Sequence, residues 1–355
     1  MSSARALPSA LLSRQRAVPL VALVLVVLLL VSMCGAVAIG SAGVPLETVL
    51  AVIGRRLRMS SAAPSLLDDQ IVWQLRMPRV VAAAATGAGL ALVGAVLQSV
   101  TRNSLADPYI LGVSGGASVG AVTVIVLGVS VAGLIGPAAI AAGAFAGAML
   151  ALLAVFTLAT SRAGTLAPNR TLLAGVAVGQ LCGAYTSFLV IARGDSDAAR
   201  RALSWSLGSV AGVRWSSAIV LLVAVAATLL VVSAFAGLLD TFAFGEVAAR
   251  SLGVPVEATR WAFLVGTALL TAVLVSATGA IGFVGLVVPH VVRMLFGPLH
   301  GVLIPMSALV GAVFMVWADT VARTVVAGQE LPIGIVTAAV GAPVFAVILR
   351  REAGR

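Results

Sequence analysis

Along the chain, apolar residues come in blocks separated by short polar or glycine- and proline-marked breaks. A window of about twenty residues matches the thickness of a bilayer core. With that window the blocks fall at 17–40, 78–99, 109–128, 133–160, 171–192, 216–238, 260–279, 282–296, 302–325 and 333–349. Ten blocks predict ten transmembrane helices and an all-α polytopic membrane protein. Its organisation is a tail at 1–16, one transmembrane domain at 17–349 with a polar loop at 239–259, and a tail at 350–355. The block at 282–296 is short and opens in "GAIGFVGLVVPH", so a half-length or glycine-loosened helix is expected there.

The first block, "AVPLVALVLVVLLLVSMCGAVAIG", follows Arg5, Arg14 and Arg16. A signal-peptide core has about 7 to 15 apolar residues. This block is longer and is read as the first span. A lipoprotein reading of "VSMCG" fails on Met33, which stands before Cys34 where a small residue is expected.

Composition agrees with the pattern. The chain is 61% hydrophobic and 10% charged, against about a quarter charged in soluble domains. With 37 glycines and only 5% aromatic residues, helix contacts are expected to rely on small side chains. All 22 basic residues are arginine. A phosphate-binding loop needs a lysine to reach the nucleotide, so any ATP that drives this protein is hydrolysed on another polypeptide. Cys34 and Cys182 lie in different blocks, and His290 and His300 do not form an H-E-x-x-H pattern. A disulfide, a metal site and a membrane metallopeptidase all lack their residues.

An even number of spans puts both termini on one side, and the terminal arginines place that side in the cytoplasm. Twelve arginines and five acids then fall inside, against nine arginines and six acids outside. The outward excess fits an acidic soluble partner docking through bidentate guanidinium pairs. The clusters Arg76 with Arg79 and Arg200 with Arg201 are the candidates, and contact with lipid phosphates is the alternative.

Several local patterns carry more detail. Between the second and third blocks stands a polar knot with Arg102, Asn103, Ser104, Asp107 and Pro108. It reads as a tight cytoplasmic turn, in which Asn103 and Asp107 bond the turn's own amides and Pro108 starts the next helix. Gly175, Gly179 and Gly183 make two G-x-x-x-G steps suited to close helix contact or to widening a conduit. Gly279, Gly282 and Gly285 recur every third residue and permit close approach or unwinding, while Pro289 frees a carbonyl near His290. Asp319 and Arg323, four apart in the ninth block, are expected to form an intramembrane ion pair that clamps structure rather than relays protons. In the loop at 239–259, Gly245 and Gly253 bracket "EVAARSL", a short amphipathic turn with Leu252 on one side and Glu246 and Arg250 on the other.

The segments "RMPR", "GAGLALVGAVLQ", "RNSLADPYILGVSGGASVGA", "GEVAARSLGV", "GAIGFVGLVVPHVVR", "ADTVAR" and "ELPIGIVTAAVGAPVF" occur in this order. In this series the chain resembles FecCD-type permease subunits of ABC importers for ferric siderophores, haem and cobalamin, from about residue 70 to 350. Ser104 departs from the family's usual proline. The resemblance implies a ten-helix subunit in the cell membrane that pairs with a second permease subunit around a central path. It further implies two ATP-binding subunits inside, which bind the ATP and Mg²⁺, and a substrate-binding protein outside. No cofactor in this chain and no nucleic-acid partner are implied. The loop at 239–259 becomes the ATPase-coupling element, carried by Gly245, Glu246, Ala249, Arg250, Ser251, Leu252 and Gly253. Ferric siderophore is the favoured substrate as the commonest class, with cobalamin or haem as alternatives. An ion-coupled secondary carrier is the competing reading, and it would need unpaired intramembrane carboxylates.

Overall fold

The computed structural model describes residues 9–40, 43–59, 64–160, 168–243, 245–326 and 328–353. Arg5, Arg162 and Arg355, all counted as cytoplasmic, lie outside the described residues. The chain crosses first in α1 (Ser9–Ala38). The short outer helices α2 (Leu46–Arg56) and α3 (Leu66–Asp69) then lead through a π-helical stretch, Gln70–Arg76, into α4 (Met77–Val100). After a 3₁₀ turn at Pro108–Leu111 come α5 (Val113–Leu127), α6 (Gly136–Ala159), α7 (Pro168–Arg193), the outer α8 (Ser196–Ser206) and α9 (Trp215–Ala234). The inner helices α10 (Ala236–Phe242) and α11 (Glu246–Ser251) precede α12 (Val256–Thr278), α13 (Val284–Phe296), α14 (His300–Ala322) and α15 (Ile333–Ala353).

Among the described residues, eight helical stretches are long and apolar enough to cross a bilayer, and α5 and α13 are apolar but shorter. Together they occupy the ten predicted blocks, and the protein is an all-α, multi-pass membrane protein. Helix α1 begins before residue 17 and α15 continues past 349. The outer helices α2, α3 and α8 have no counterpart in the block pattern, because they are too short and too polar for a window of span length.

Helix α4 is the hub, packed against α9, α12, α13 and α14. Nearly every residue from Val80 to Val100 is buried, although hydropathy alone would equally allow a lipid-facing helix. The reason is side-chain size. Lipid tails are as apolar as leucine, so helix association in a bilayer depends on close packing rather than on escape from water. "VVAAAATGAGLALVGAV" presents small residues on every face and admits neighbours on all sides. A Cβ at Gly94 would overlap the Gly285 carbonyl of α13, and one at Gly120 of α5 would overlap the Gly143 carbonyl of α6. Helices α1, α7 and α9 behave oppositely and expose bulky residues such as Leu23, Phe188 and Leu230, the pattern of a lipid-facing surface.

The two short helices share a construction. Gly112, at φ +71°, precedes α5, and Phe283, at φ +69°, precedes α13, so each begins from a left-handed residue. A Cβ on Gly285 would stand 2.7 Å from Pro108 Cδ and 3.0 Å from the Leu90 carbonyl. Leu90 lies ten residues before the inner end of α4, about 15 Å higher at 1.5 Å per residue. The knot at 102–108 therefore does not stay in the cytoplasm. It turns at Asn103 and climbs back, so that Pro108 sits within the membrane. There the Tyr109 hydroxyl accepts a hydrogen bond from the Ile281 amide, joining the starts of α5 and α13. The half-length helix expected at 282–296 is present, and α5 is a second one.

Gly94→Ala is expected to destabilise the protein by about 1–3 kcal/mol through overpacking. Gly35→Ala, inside α1 where a Cβ meets nothing within 4 Å, is expected to hold or raise stability by up to about 1 kcal/mol, the helical advantage of alanine over glycine. Thermal unfolding in detergent, followed with a thiol-reactive dye on the free Cys34 and Cys182, makes the comparison.

Candidate functional site

The outer ends of α4, α5, α6, α8, α12 and α14 surround a cavity of about 1270 Å³. Arg76, Arg79, Arg201, Arg214 and Arg323 line it, with Glu330 as the one acid. Guanidinium groups keep their charge at any physiological pH, so this is a permanently cationic hollow on the outward face.

The arginines differ in how they are held. Arg76 is buried, and its Nη1 donates to the carbonyls of Val37 at 2.8 Å and Ala38 at 3.1 Å. These are the last carbonyls of α1, which have no partner within their own helix. Arg79 donates from Nε and Nη2 to buried Asp319, at 2.9 to 3.1 Å, and from Nη1 to Glu330 at 2.9 and 3.0 Å. It thereby ties α4 to α14 and to the segment before α15. The expected docking pair Arg76/Arg79 is thus committed to intramolecular bonds. A guanidinium at the head of a buried helix must be paired where water is scarce, and the fold supplies two carbonyls and two carboxylates.

Asp319 and Arg323 stand closest at 3.7 Å, Arg323 Nε to Asp319 Oδ2. Their spacing of four predicted the principal ion pair, but that position belongs to Arg79, 240 residues away in sequence. Arg323 instead donates to the Ala36 carbonyl, a third bond to the end of α1 beside the two from Arg76. Asp319, the carboxylate that an ion-coupled carrier would use, is held by this network. Arg200 and Arg201 do remain exposed on α8. Asp195 caps that helix by accepting from the Ala198 amide at 2.6 Å, and Ala198 and Ala202 turn inward. Arg201 reaches the cavity.

At the inner face, Gly245 (φ +93°) and Gly253 (φ +81°) adopt backbone angles that favour glycine, and α11 lies between them. Ala249 is fully buried against Phe242 and Val256. Glu246 accepts from Arg260, which also reaches Glu257 at 3.3 Å. Arg250 stands 3.9 Å from Glu246 and 3.7 Å from Glu257. Ser251 Oγ bonds back to the Val247 carbonyl at 2.9 Å. On this braced platform Val247 is 82% exposed and Leu252 67% exposed. Two bare apolar side chains thus stand beside a charged rim. Val247 was not singled out from the sequence, where a single valine among alanines gives no signal.

The remaining motif residues fall into packing roles. Asn103 Oδ1 accepts from the Leu105 amide and Asp107 Oδ1 from the Tyr109 amide, each at 2.9 Å, and Pro108 opens the 3₁₀ turn. Gly175 is buried, and its carbonyl and the Gly179 backbone face Gly112 and Gly115 at the start of α5, whereas Gly183 is exposed with open space around it. The stripe read as one face is therefore split between a helix contact and the outer wall. Gly279, at φ +70°, ends α12 against Trp205 and Gly208, while Gly282 stands open beside Tyr109. Pro289 leaves the Gly285 carbonyl without its helical donor. Gln98 Nε2 supplies one at 3.2 Å, a role the sequence had offered to His290. His290 itself is buried in the middle of α13.

Comparison with known proteins bears on this arrangement of ten apolar helices, outer arginine hollow and inner platform. The chain is 47% identical over 281 residues to the cobalamin import system permease protein BtuC of Halobacterium salinarum, covering 79% of this chain and 73% of that one. It is 42% identical over 291 residues to the vitamin B12 import system permease protein BtuC of Vibrio cholerae, covering 82% and 86%. A solved inward-facing structure assigned to the metal-chelate type of ABC transporter superposes with a TM-score of 0.80 at 29% identity, over 94% of this chain and 99% of the other. The sequence profile of the FecCD transport family matches residues 25–351. That match runs from within α1 through every later apolar helix and both polar faces, and the chain belongs to the FecCD transport family of ABC importer permeases.

Proposed function

We propose that this permease imports cobalamin or a close corrinoid relative, powered by separate ATP-binding subunits that bind ATP and Mg²⁺ and fed by an external binding protein. The substrate assignment rests on the relatives at 47% and 42% identity, each named for cobalamin or vitamin B12 and each aligned over about four-fifths of this chain. Ferric siderophore, the class favoured on frequency alone, is the second reading, supported by the likeness to the metal-chelate transporter.

In this reading the chain makes and breaks no covalent bonds. A loaded binding protein meets the exposed arginines of α8 and the rim of the outer cavity. The ATP-binding subunits grip α11 through Val247 and Leu252. Their closure and opening move the inner platform, and the path between this subunit and a second permease subunit opens to one side at a time. Because Arg76, Arg79 and Arg323 already hold α1 and α14, the exposed charge at the cavity's rim is that of Arg201 and Arg214, with Arg200 beside them on α8.

Three outcomes follow. Uptake of labelled cobalamin by cells is expected to disappear when the gene is deleted and when ATP is depleted with the membrane potential kept. Ferric siderophore and haem uptake should be unaffected; loss of siderophore uptake instead would move the assignment to the second reading. Arg201→Glu is expected to slow binding-protein association about tenfold at low ionic strength and to flatten its salt dependence, since rim charges act chiefly on encounter. Gly253→Val places a branched side chain at φ +81° and is expected to lower co-purification of the ATP-binding subunit about tenfold, or ~1.4 kcal/mol. Unchanged co-purification and uptake would remove the coupling role of residues 245–253.

A further inference from the structure

Three polar side chains join the inner ends of α4, α10 and α14. His300 is the first residue of α14 and is buried. Its backbone N–H donates to Asp240 Oδ1 at 2.9 Å, and its ring Nδ1 stands 2.6 Å from the same oxygen. On the opposite edge of the ring, Nε2 is hydrogen-bonded with Ser99 Oγ in the last turn of α4. A carboxylate only accepts, so Nδ1 carries the proton towards Asp240. The Ser99 hydroxyl, also 2.9 Å from the Ala95 carbonyl, closes the chain on α4. The imidazole is thus a rigid strut with one end on α10 and the other on α4.

Helix α10 is the connecting part of this assembly. Leu239 is buried in the main core, whereas Phe242, less than one turn on, is buried with Ala249 of α11 and Val256 of α12. A displacement of α11 reaches α10 through the Phe242 packing and has a polar route onward through Asp240. Beyond the strut, α4 and α14 are fastened again: Gly87 and Gly311 bring their backbones together in mid-membrane, and Arg79 and Asp319 join them at the outer end. The antiparallel α4–α14 pair is therefore closed at its inner end, its middle and its outer end, and its outer end lines the arginine cavity.

We propose that the Asp240–His300–Ser99 chain transmits movement of the inner platform into the α4–α14 pair, and through that pair to the outer cavity. The inference rests on the coupling role proposed for residues 245–253. Merely capping α14 would need only the bond from the His300 amide to Asp240. The ring bonds to Asp240 and to Ser99 are what a transmission element requires, and they act in series.

Side-chain geometry gives a test that separates the two ends of the strut. In His300→Asn the amide nitrogen takes the place of Nδ1 and keeps the bond to Asp240, but nothing reaches Ser99. In His300→Gln the amide nitrogen takes the place of Nε2 and keeps Ser99, but the Asp240 ring bond is lost. The complete complex with its ATP-binding subunits and binding protein, reconstituted in proteoliposomes, is assayed for cobalamin transport and ATP hydrolysis. Both variants, and Ser99→Ala, are expected to retain the ATP-binding subunit in wild-type ratio and to hydrolyse ATP at the basal rate. Transport per ATP should fall about tenfold in each. The double variant His300→Asn/Ser99→Ala should lose no more than its singles, because links in series fail together. Wild-type transport per ATP in the three single variants overturns the proposal. So does a loss that merely tracks falling melting temperature, or a loss of the ATP-binding subunit. Failure of Gly253→Val to weaken co-purification would instead strike the coupling role itself, so the two failures are distinguishable.

Discussion

The fold depends on a scarcity of side-chain volume at its centre. Helix α4 can touch five other long or half-length helices because its faces are built mainly from glycine, alanine and valine. In a bilayer, contact between backbones is a principal source of helix affinity. The same closeness explains the half-length helices. Once α13 lies against Gly94, the space beside it at mid-depth is open to the returning knot, and Pro108 fills it. A bulkier α4 would push α13 away and leave the start of α5 without a seat.

Polar groups inside this apolar packing are used as joints. Three of them answer a particular unsatisfied group: Gln98 meets the carbonyl exposed by Pro289, Arg76 meets the end of α1, and Arg79 meets a carboxylate buried on α14. An unpaired polar group at such depth carries a penalty of several kcal/mol, so the pairs fix which helices are neighbours as firmly as the apolar contacts do. The protein's lack of lysine suits this role. A guanidinium has five donors in a fixed plane and can hold two partners at once, as Arg79 does between Asp319 and Glu330.

Much of the architecture was legible in the sequence, because span length and hydropathy are imposed by the bilayer. The ten blocks, the shortened helix at 282–296 and the turn chemistry of Asn103, Asp107 and Pro108 all follow from local rules. Partners across long sequence distances did not. The spacing of Asp319 and Arg323 pointed to each other, while the dominant bond went to Arg79 from another helix. Arg76 and Arg79 looked free because nothing local shows that α4 is buried on all sides. The missing donor at Pro289 was legible, and it could have led to Gln98 had a polar residue near the end of the adjacent apolar block been sought. The outer helices α2 and α8 escaped because each is only 11 residues long and polar along one face, so a span-length window averages them away.

The π-helical stretch Gln70–Arg76 has a consequence for how the outer face is indexed to the core. Trp73 within it stacks near Trp215, at 5.0 Å between ring centroids, and lies under the Arg56 guanidinium of α2. A π turn takes in one residue more than an α turn, and one residue of α-helix corresponds to about 100° of rotation. The stretch therefore acts as a phase shifter between the outer platform and the central helix. It lets Trp73 face α9 while Arg76, at the far end of the same stretch, faces α1. A one-residue deletion here would turn the preceding segment by about 100° relative to α4 while leaving α10 and α11 in register, so the aim of the outer helices is set separately from that of the inner ones.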